Sequence, residues 1–435
     1  MQNEPRHFVA VVGGAVSGSV AAEILADAGA EVVVIEMNDR PYGKIEDGLP
    51  RWHSHQRKKE YEKIDARLSK EKIHFLPRTK LGKDVGFSDL VERWGLSAVL
   101  LANGAWRDRP LGLPGCEDYV GKGLEYQNPF IYWFNHKEEE GFRGRSIDVP
   151  DGAVIFGGGL ASIDVVKVCQ LEIYGRALKQ RGIDVPMIEM EKQGIPATCQ
   201  AHGIDPTSLG LKGALLVYRR RKQDMPLAQA GAKAPDELEK AYAAREKLLA
   251  ISQGKFLFRF QDTTMPIELV TKGGRVTGVK VVRTAVEGRK ATPIPGSEEV
   301  IPTGLVISSI GSIPEPIEGI RMKGETFDFK DWDMGVYDAQ KGIFGVGNVV
   351  TGQGNIRASL LHAQKVAAYL NENYFAGAVG AAGAEVVQGH LAKRAPLPAT
   401  KLAEIRKRVK ALQEKAGYGG DYHAWIKKVM PPDLH

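Results

Sequence analysis

The chain has 435 residues, 43% hydrophobic and 26% charged, which is ordinary globular composition and room for two or three domains with separate cores. The formal net charge of +6 is uneven: residues 391–416 hold eight Lys/Arg against two Asp/Glu, so the remainder is near neutral. This excludes a globally basic nucleic-acid binder and leaves a basic tail. Three cysteines (Cys116, Cys169, Cys199) and no C-x-x-C exclude a disulfide scaffold, a redox dithiol and a four-cysteine zinc or iron–sulfur site within the chain, and no metal site is expected. No apolar run reaches the ~18 residues of a membrane span; FAGAVGAAGA at 375–384 is too short and too glycine-rich. A strand-like run starts by residue 7, without a signal-peptide pattern, so the expected compartment is the cytoplasm.

Short apolar runs at 8–12, 31–36, 98–102, 153–156, 214–218, 305–310 and 343–346 alternate with helical segments, which predicts parallel sheets buried on both faces. The first 30 residues of this pattern carry a motif. Gly13, Ala15 and Gly18 occupy the G-x-G-x-x-G positions after the first strand, and Ala22 and Leu25 turn the following helix toward the sheet. Glu36 ends the second strand, 18 residues after Gly18. The first glycine permits the tight turn, the third lets helix and strand pack closely, and the helix N-terminus offers amides to a pyrophosphate. The acid stands where it can bond ribose hydroxyls. Ala15 departs from the pattern by one methyl group.

AVIFGGGLASID at 153–164 repeats the design, with Gly157, Gly159 and Ser162 at the three positions. The next strand ends not in an acid but in Arg219, Arg220 and Arg221. Guanidinium groups suit a 2′-phosphate, so NADP(H) is expected over NAD(H); a solvated basic loop is the alternative. Two such loops imply two dinucleotides, and a pairing of FAD with NADPH makes hydride transfer the reaction. After the second loop, between two sheet strands, 170–213 reads as an inserted stretch of mixed helix and loop. Segment 256–283 (KFLFRF, PIELV, then RVTGVKVVRT after a KGG turn) reads as an antiparallel meander.

These loops, together with YGKIEDGLPRWHSH at 42–55, the stretch at 79–115, VYRRRKQDMP at 217–226, TGLVISSIG at 303–311 and GIFGVGNVVTGQGN at 342–355, resemble the adrenodoxin reductase-like and glutamate synthase small-subunit-like FAD/NADPH oxidoreductases, over about residues 7–372. The resemblance implies an α/β protein with two doubly wound Rossmann-like domains. The FAD domain (1–130 and 318–385) would be discontinuous, with the NADP(H) domain (131–317) inserted in it and a basic helical tail (386–435) appended. It implies FAD contacts at Gly104, in an ANGA that replaces a commoner ATGA, at Gly347 and Asn348 near the ribityl–phosphate, and at Gly354, Asn355 and Ile356 near the flavin pyrimidine edge. Asn348 stands where most relatives have Asp. His53 aligns with a histidine on the electron-exit side. Hydride transfer needs no general base, so the lack of an acid–base pair is no objection.

The implied partner is an external acceptor, an acidic ferredoxin-like electron carrier or an iron–sulfur partner subunit, because the chain lacks the cysteines of either. The rivals are an electron-transfer subunit of a larger complex and a non-catalytic dinucleotide-binding scaffold or redox sensor. In KLAEIRKRVKALQEK (401–415), Leu402, Ile405, Val409 and Leu412 recur at helical spacing. That face reads as a packing face; the basic opposite face is either solvated or a dock for the acidic carrier.

Overall fold

Phe8–Val12, Glu31–Ile35, Ile73–Leu76, Ala98–Leu101 and Ile343–Gly345 are apolar runs rich in β-branched residues, which pack well on a pleated surface. All five join one parallel sheet in the spatial order 73–76, 31–35, 8–12, 98–101, 343–345, with Val336–Asp338 antiparallel at one edge. The structure, a computed structural model, describes residues 7–227, 235–375 and 394–431. The described residues divide into two compact units, one within Met1–Leu49, His53–Arg107 and Ser312–His435, the other within Pro50–Trp52 and Asp108–Gly311.

In the first unit the sheet is buried on both faces. Val9, Val11, Val32, Val34 and Leu100 point into a core with the helices Val16–Asp27, Ser54–Leu68 and Ile356–Tyr369. Phe8, Ala10, Val12, Val33 and Leu101 point the other way, against Leu402, Ile405 and Val409 of the helix Ala399–Ala416. The apolar stripe of the basic tail is thus a packing face. The chain then crosses the edge strand: Gln413 donates to the Phe75 carbonyl at 2.7 Å, and Tyr418 and Tyr422 meet the Phe75 ring edge-on at 5.8 and 5.1 Å. The edge of the sheet is covered rather than left as a template for another chain. Residues 386–393 and 432–435 of the expected tail, and 376–384 of the glycine-rich run, lie outside the described residues.

In the second unit a five-stranded parallel sheet runs in the order Leu124–Tyr126, Val306–Ser309, Val154–Gly157, Leu215–Val217, Arg259–Gln261. A separate antiparallel sheet holds Thr264–Lys272, Arg275–Glu287, Lys290–Pro293 and Glu299–Pro302. Both units are therefore α/β with a doubly wound, Rossmann-like parallel sheet.

One local expectation differs from the structure. KFLFRF is not the first strand of the meander: Phe256 ends the helix Pro235–Phe256, and Arg259–Gln261 pairs in parallel with Leu215–Val217. Residues 170–213 hold the end of the helix Leu160–Lys179 and then the helices Met187–Gln193 and Ile195–Ala201 with the loops between them. Within the first of these helices Gln170 is buried and satisfied, its side-chain N–H donating to the Phe256 carbonyl at 2.8 Å and its oxygen accepting from the Ala214 amide at 2.7 Å.

Candidate functional site

The order of the first sheet reverses between Phe8–Val12 and Ala98–Leu101, and the order of the second between Val154–Gly157 and Val306–Ser309. In open α/β sheets a ligand crevice opens at that reversal, beyond the carboxyl ends of the strands. Both glycine loops stand there.

Gly13 turns with φ +100°, and a Cβ on it would lie 2.7 Å from the Ala102 carbonyl, the first residue after the neighbouring strand. At Gly18 a Cβ would fall 1.8 Å from the Gly13 carbonyl. Any side chain there forces loop and helix apart. Ala15 is the N-cap of Val16–Asp27, with no side-chain cap and no acid in the first turn, so the leading amides and the positive end of the helix are left for an anion. Glu36 is buried, and its carboxylate accepts from the Gly14 and Asn38 amides, each at 2.9 Å. Burial pushes its pKa up to about 7 against the pull of those two amides.

Segment 347–356 comes to the same place. A Cβ on Gly347 would meet the Ser17 hydroxyl at 2.4 Å, which sets this residue against the start of the Val16–Asp27 helix. The Gly347 amide donates to Nδ1 of His362 at 3.1 Å, so that ring carries its proton on Nε2, and burial holds its pKa down. The oxygen of Asn348 accepts from the Gly354 amide at 2.7 Å, a task an amide oxygen performs as a carboxylate would. Asn355 caps Ile356–Tyr369 by accepting from the Ala358 amide at 2.7 Å, and Ile356 packs at the edge of the core. Gly104, with φ +67°, follows directly on Ala102 and Asn103, both of which a Cβ on Gly13 would strike. The structure thus gathers Gly13, Ala15, Gly18, Glu36, Gly104, Gly347 and Asn348 around one strand end. His53 is half-buried at the N-cap position of Ser54–Leu68 without a side-chain cap bond; the loop glycines make their close approaches to Ala102, Ser17 and Pro41 instead.

The second loop is built differently at its third position. Ser162 is buried, and its hydroxyl bonds the Ser309 carbonyl and hydroxyl, both at 3.0 Å, across the reversal point of the sheet. A Cβ on Gly157 would lie 2.2 Å from that same hydroxyl, whereas one on Gly159 would meet nothing within 4 Å. Gly159 begins the helix Leu160–Lys179 with no side-chain cap and no acid in the first turn. The arginines are not equivalent. Arg221 pairs with Asp224 at 2.9 Å. Arg220 donates to the Tyr218 hydroxyl at 2.9 Å and to the Asp224 carbonyl at 3.3 Å. Arg219 is exposed and its side chain makes no hydrogen bond or ion pair with the described residues, while its carbonyl is pinned by the Thr284 hydroxyl at 2.7 Å. The sequence reading missed Tyr218, whose ring blocks any side chain at Gly158 (2.2 Å), and Ser309. The signal for Tyr218 was its place directly before the arginines; nothing local marked Ser309.

Residues 11–55 match the NAD(P)-binding Rossmann-like domain family. The chain is 28% identical over 327 residues to the NADPH-Fe(3+) oxidoreductase subunit beta of Geobacter sulfurreducens, covering 72% of this chain and 39% of that protein. It is 25% identical over 346 residues to the mitochondrial NADPH:adrenodoxin oxidoreductase of Arabidopsis thaliana, covering 73% and 70%. The chain is a homologue of these proteins. It spans about two fifths of the length of the Geobacter relative. The solved structure of Mycobacterium tuberculosis FprA in complex with NADPH shares the fold, with a TM-score of 0.67 at 18% identity over 94% of this chain and 91% of that one. Among the described residues no helix is long and apolar enough to cross a membrane, and no group of His, Cys, Asp and Glu could hold a metal ion.

Proposed function

We propose that this chain is an FAD-dependent NADPH oxidoreductase that passes electrons to an external ferredoxin-type iron–sulfur protein. The observation that carries the reading is the pairing of two glycine loops, each at the reversal point of its own parallel sheet, with an arginine cluster beside the second and an acid beside the first. The names of the homologues point the same way.

On this reading the first loop holds FAD. The uncapped start of Val16–Asp27 takes the pyrophosphate, Glu36 the ribose hydroxyls, and Gly104, Gly347, Asn348, Gly354, Asn355 and Ile356 the flavin side. Both cradles fit: their glycines stand where a Cβ would collide or where open space faces an uncapped helix. Gly157, Gly159 and Ser162 hold NADPH, and Arg219 and Arg220 grip its 2′-phosphate. A flavin held there would supply a hydride acceptor for the nicotinamide and a donor of two successive single electrons to the iron–sulfur protein. The protein supplies position and charge, not a general base. His53 would serve on the electron-exit side.

The acceptor is expected to be acidic, meeting exposed Lys407 and Lys410 on the outer face of Ala399–Ala416. A partner iron–sulfur subunit is the second reading, favoured by the Geobacter relative being named a subunit. All three cysteines are free and buried, in keeping with the cytoplasm. Flavin content tests the assignment: purified protein should release one non-covalent FAD per chain on denaturation. Protein that carries none and takes up none overturns it.

A further inference from the structure

The loop that follows Glu36 does not stand on its own strand end. It is held from the far end of the chain. Trp425, on the helix Tyr422–Val429, donates its indole N–H to the Asp39 carbonyl at 2.8 Å. Arg40 donates to the Val429 carbonyl at 2.6 Å, at the C-terminal end of that helix, and is itself fixed by Glu46. The Tyr422 hydroxyl donates to Asp65 at 2.7 Å, and Tyr42 donates to the same carboxylate at 3.0–3.1 Å. Trp425 and Tyr422 are buried. The helix is a built element: Asp421 caps it by accepting from the Ala424 amide at 2.9 Å.

A second feature belongs to the same grip. Arg78 is one of three non-glycine described residues with positive φ, at +53°. Its amide donates to the Asn38 carbonyl at 3.2 Å, its guanidinium bonds Asp39 and lies 5.0 Å from the Trp425 ring centre. A non-glycine residue held in that region is strained and persists only where its surroundings over-determine it. Here the surroundings are the 38–39 backbone and Trp425.

We infer that the helix Tyr422–Val429 is a clamp on residues 38–42, and that its hold sets how tightly the first loop binds its dinucleotide. The inference rests on the FAD reading of that loop. Glu36 and Asn38 share a hydrogen bond, so the clamped segment begins one bond from the proposed ribose contact. A loop competent only part of the time binds with affinity reduced by that fraction. By linkage, FAD must tighten the clamp as much as the clamp tightens FAD. Tyr422 and Trp425 are positioning residues on this account, since they act through Asp65 and the Asp39 carbonyl.

The test removes the bonds but keeps an aromatic ring at each position. In the full-length Trp425→Phe/Tyr422→Phe double variant, FAD added back to flavin-free protein should bind about tenfold more weakly, with the NADPH dissociation constant unchanged. FAD affinity within twofold of wild type overturns the clamp, as does an equal loss of NADPH affinity, which is what general loosening produces. A second measurement needs no variant. Hydrogen exchange of wild-type protein should slow at 422–429 together with 38–42 when FAD is added. Exchange at 422–429 that ignores FAD overturns the clamp alone. Wild-type protein that binds no FAD overturns the reading of the loop, and the clamp with it.

Discussion

The Gly14 amide donates to the Glu36 carboxylate at 2.9 Å, closing the first loop onto the end of the second strand across 22 residues of sequence. That bond and the one from Asn38 favour the ionised acid, but burial outweighs them and lifts the pKa to about 7. The folded protein therefore keeps its proton at pH values where the unfolded chain has lost it. The contribution to stability is full below about 4.5 and is lost as pH rises to about 7, a span of about 3 kcal/mol. Urea denaturation of flavin-free protein between pH 5 and 8 should show this decline in wild type, and Glu36→Gln should flatten it. Parallel pH profiles would contradict the assignment.

The glycines separate fold from binding. Gly18→Ala drives a methyl into the Gly13 carbonyl and should cost about 2–3 kcal/mol of stability before any ligand is considered. Gly159→Ala places its methyl in open space at a helix N-cap and should cost no more than about 1 kcal/mol, yet raise KM for NADPH. Thermal unfolding and steady-state kinetics check both. A stable Gly18→Ala, or a Gly159→Ala with unchanged KM, contradicts the account.

Nucleotide choice should rank the arginines. Arg219→Ala should lower kcat/KM for NADPH by roughly 10–100-fold with little effect on NADH, since a charge-assisted phosphate contact is worth about 1.5–3 kcal/mol. Arg221→Ala, already paired with Asp224, should change the ratio least. Kinetics with both nucleotides decide it; a ratio unmoved by Arg219→Ala makes the loop ordinary surface.

Much of this was legible before the structure. Parallel strands buried on both faces read as continuous apolar runs, and the glycine spacing placed both loops. The meander failed because alternation in KFLFRF says that a strand exists, not which neighbour it pairs with or in which direction. The clamp was invisible because Tyr42, Asp65 and Tyr422 meet from three distant segments, and no local pattern joins them.

Charge on the tail gives a prediction for the acceptor. Lys407→Glu/Lys410→Glu reverses charge on the exposed side of a helix whose other side is core. Flavin reduction by NADPH should be unchanged. Electron transfer to an acidic ferredoxin should slow at low salt, with a difference that fades toward the ≈ 8 Å screening length of ~0.15 M salt and beyond. Equal transfer rates at low salt would leave that face as solvated surface.

The central claim is that one chain joins NADPH to a flavin, and anaerobic mixing tests it most directly. Purified, yellow, full-length protein is mixed with NADPH in the absence of oxygen and any acceptor. The account predicts that the visible flavin absorbance bleaches, faster with NADPH than with NADH. A flavin that stays oxidised under excess NADPH would contradict it.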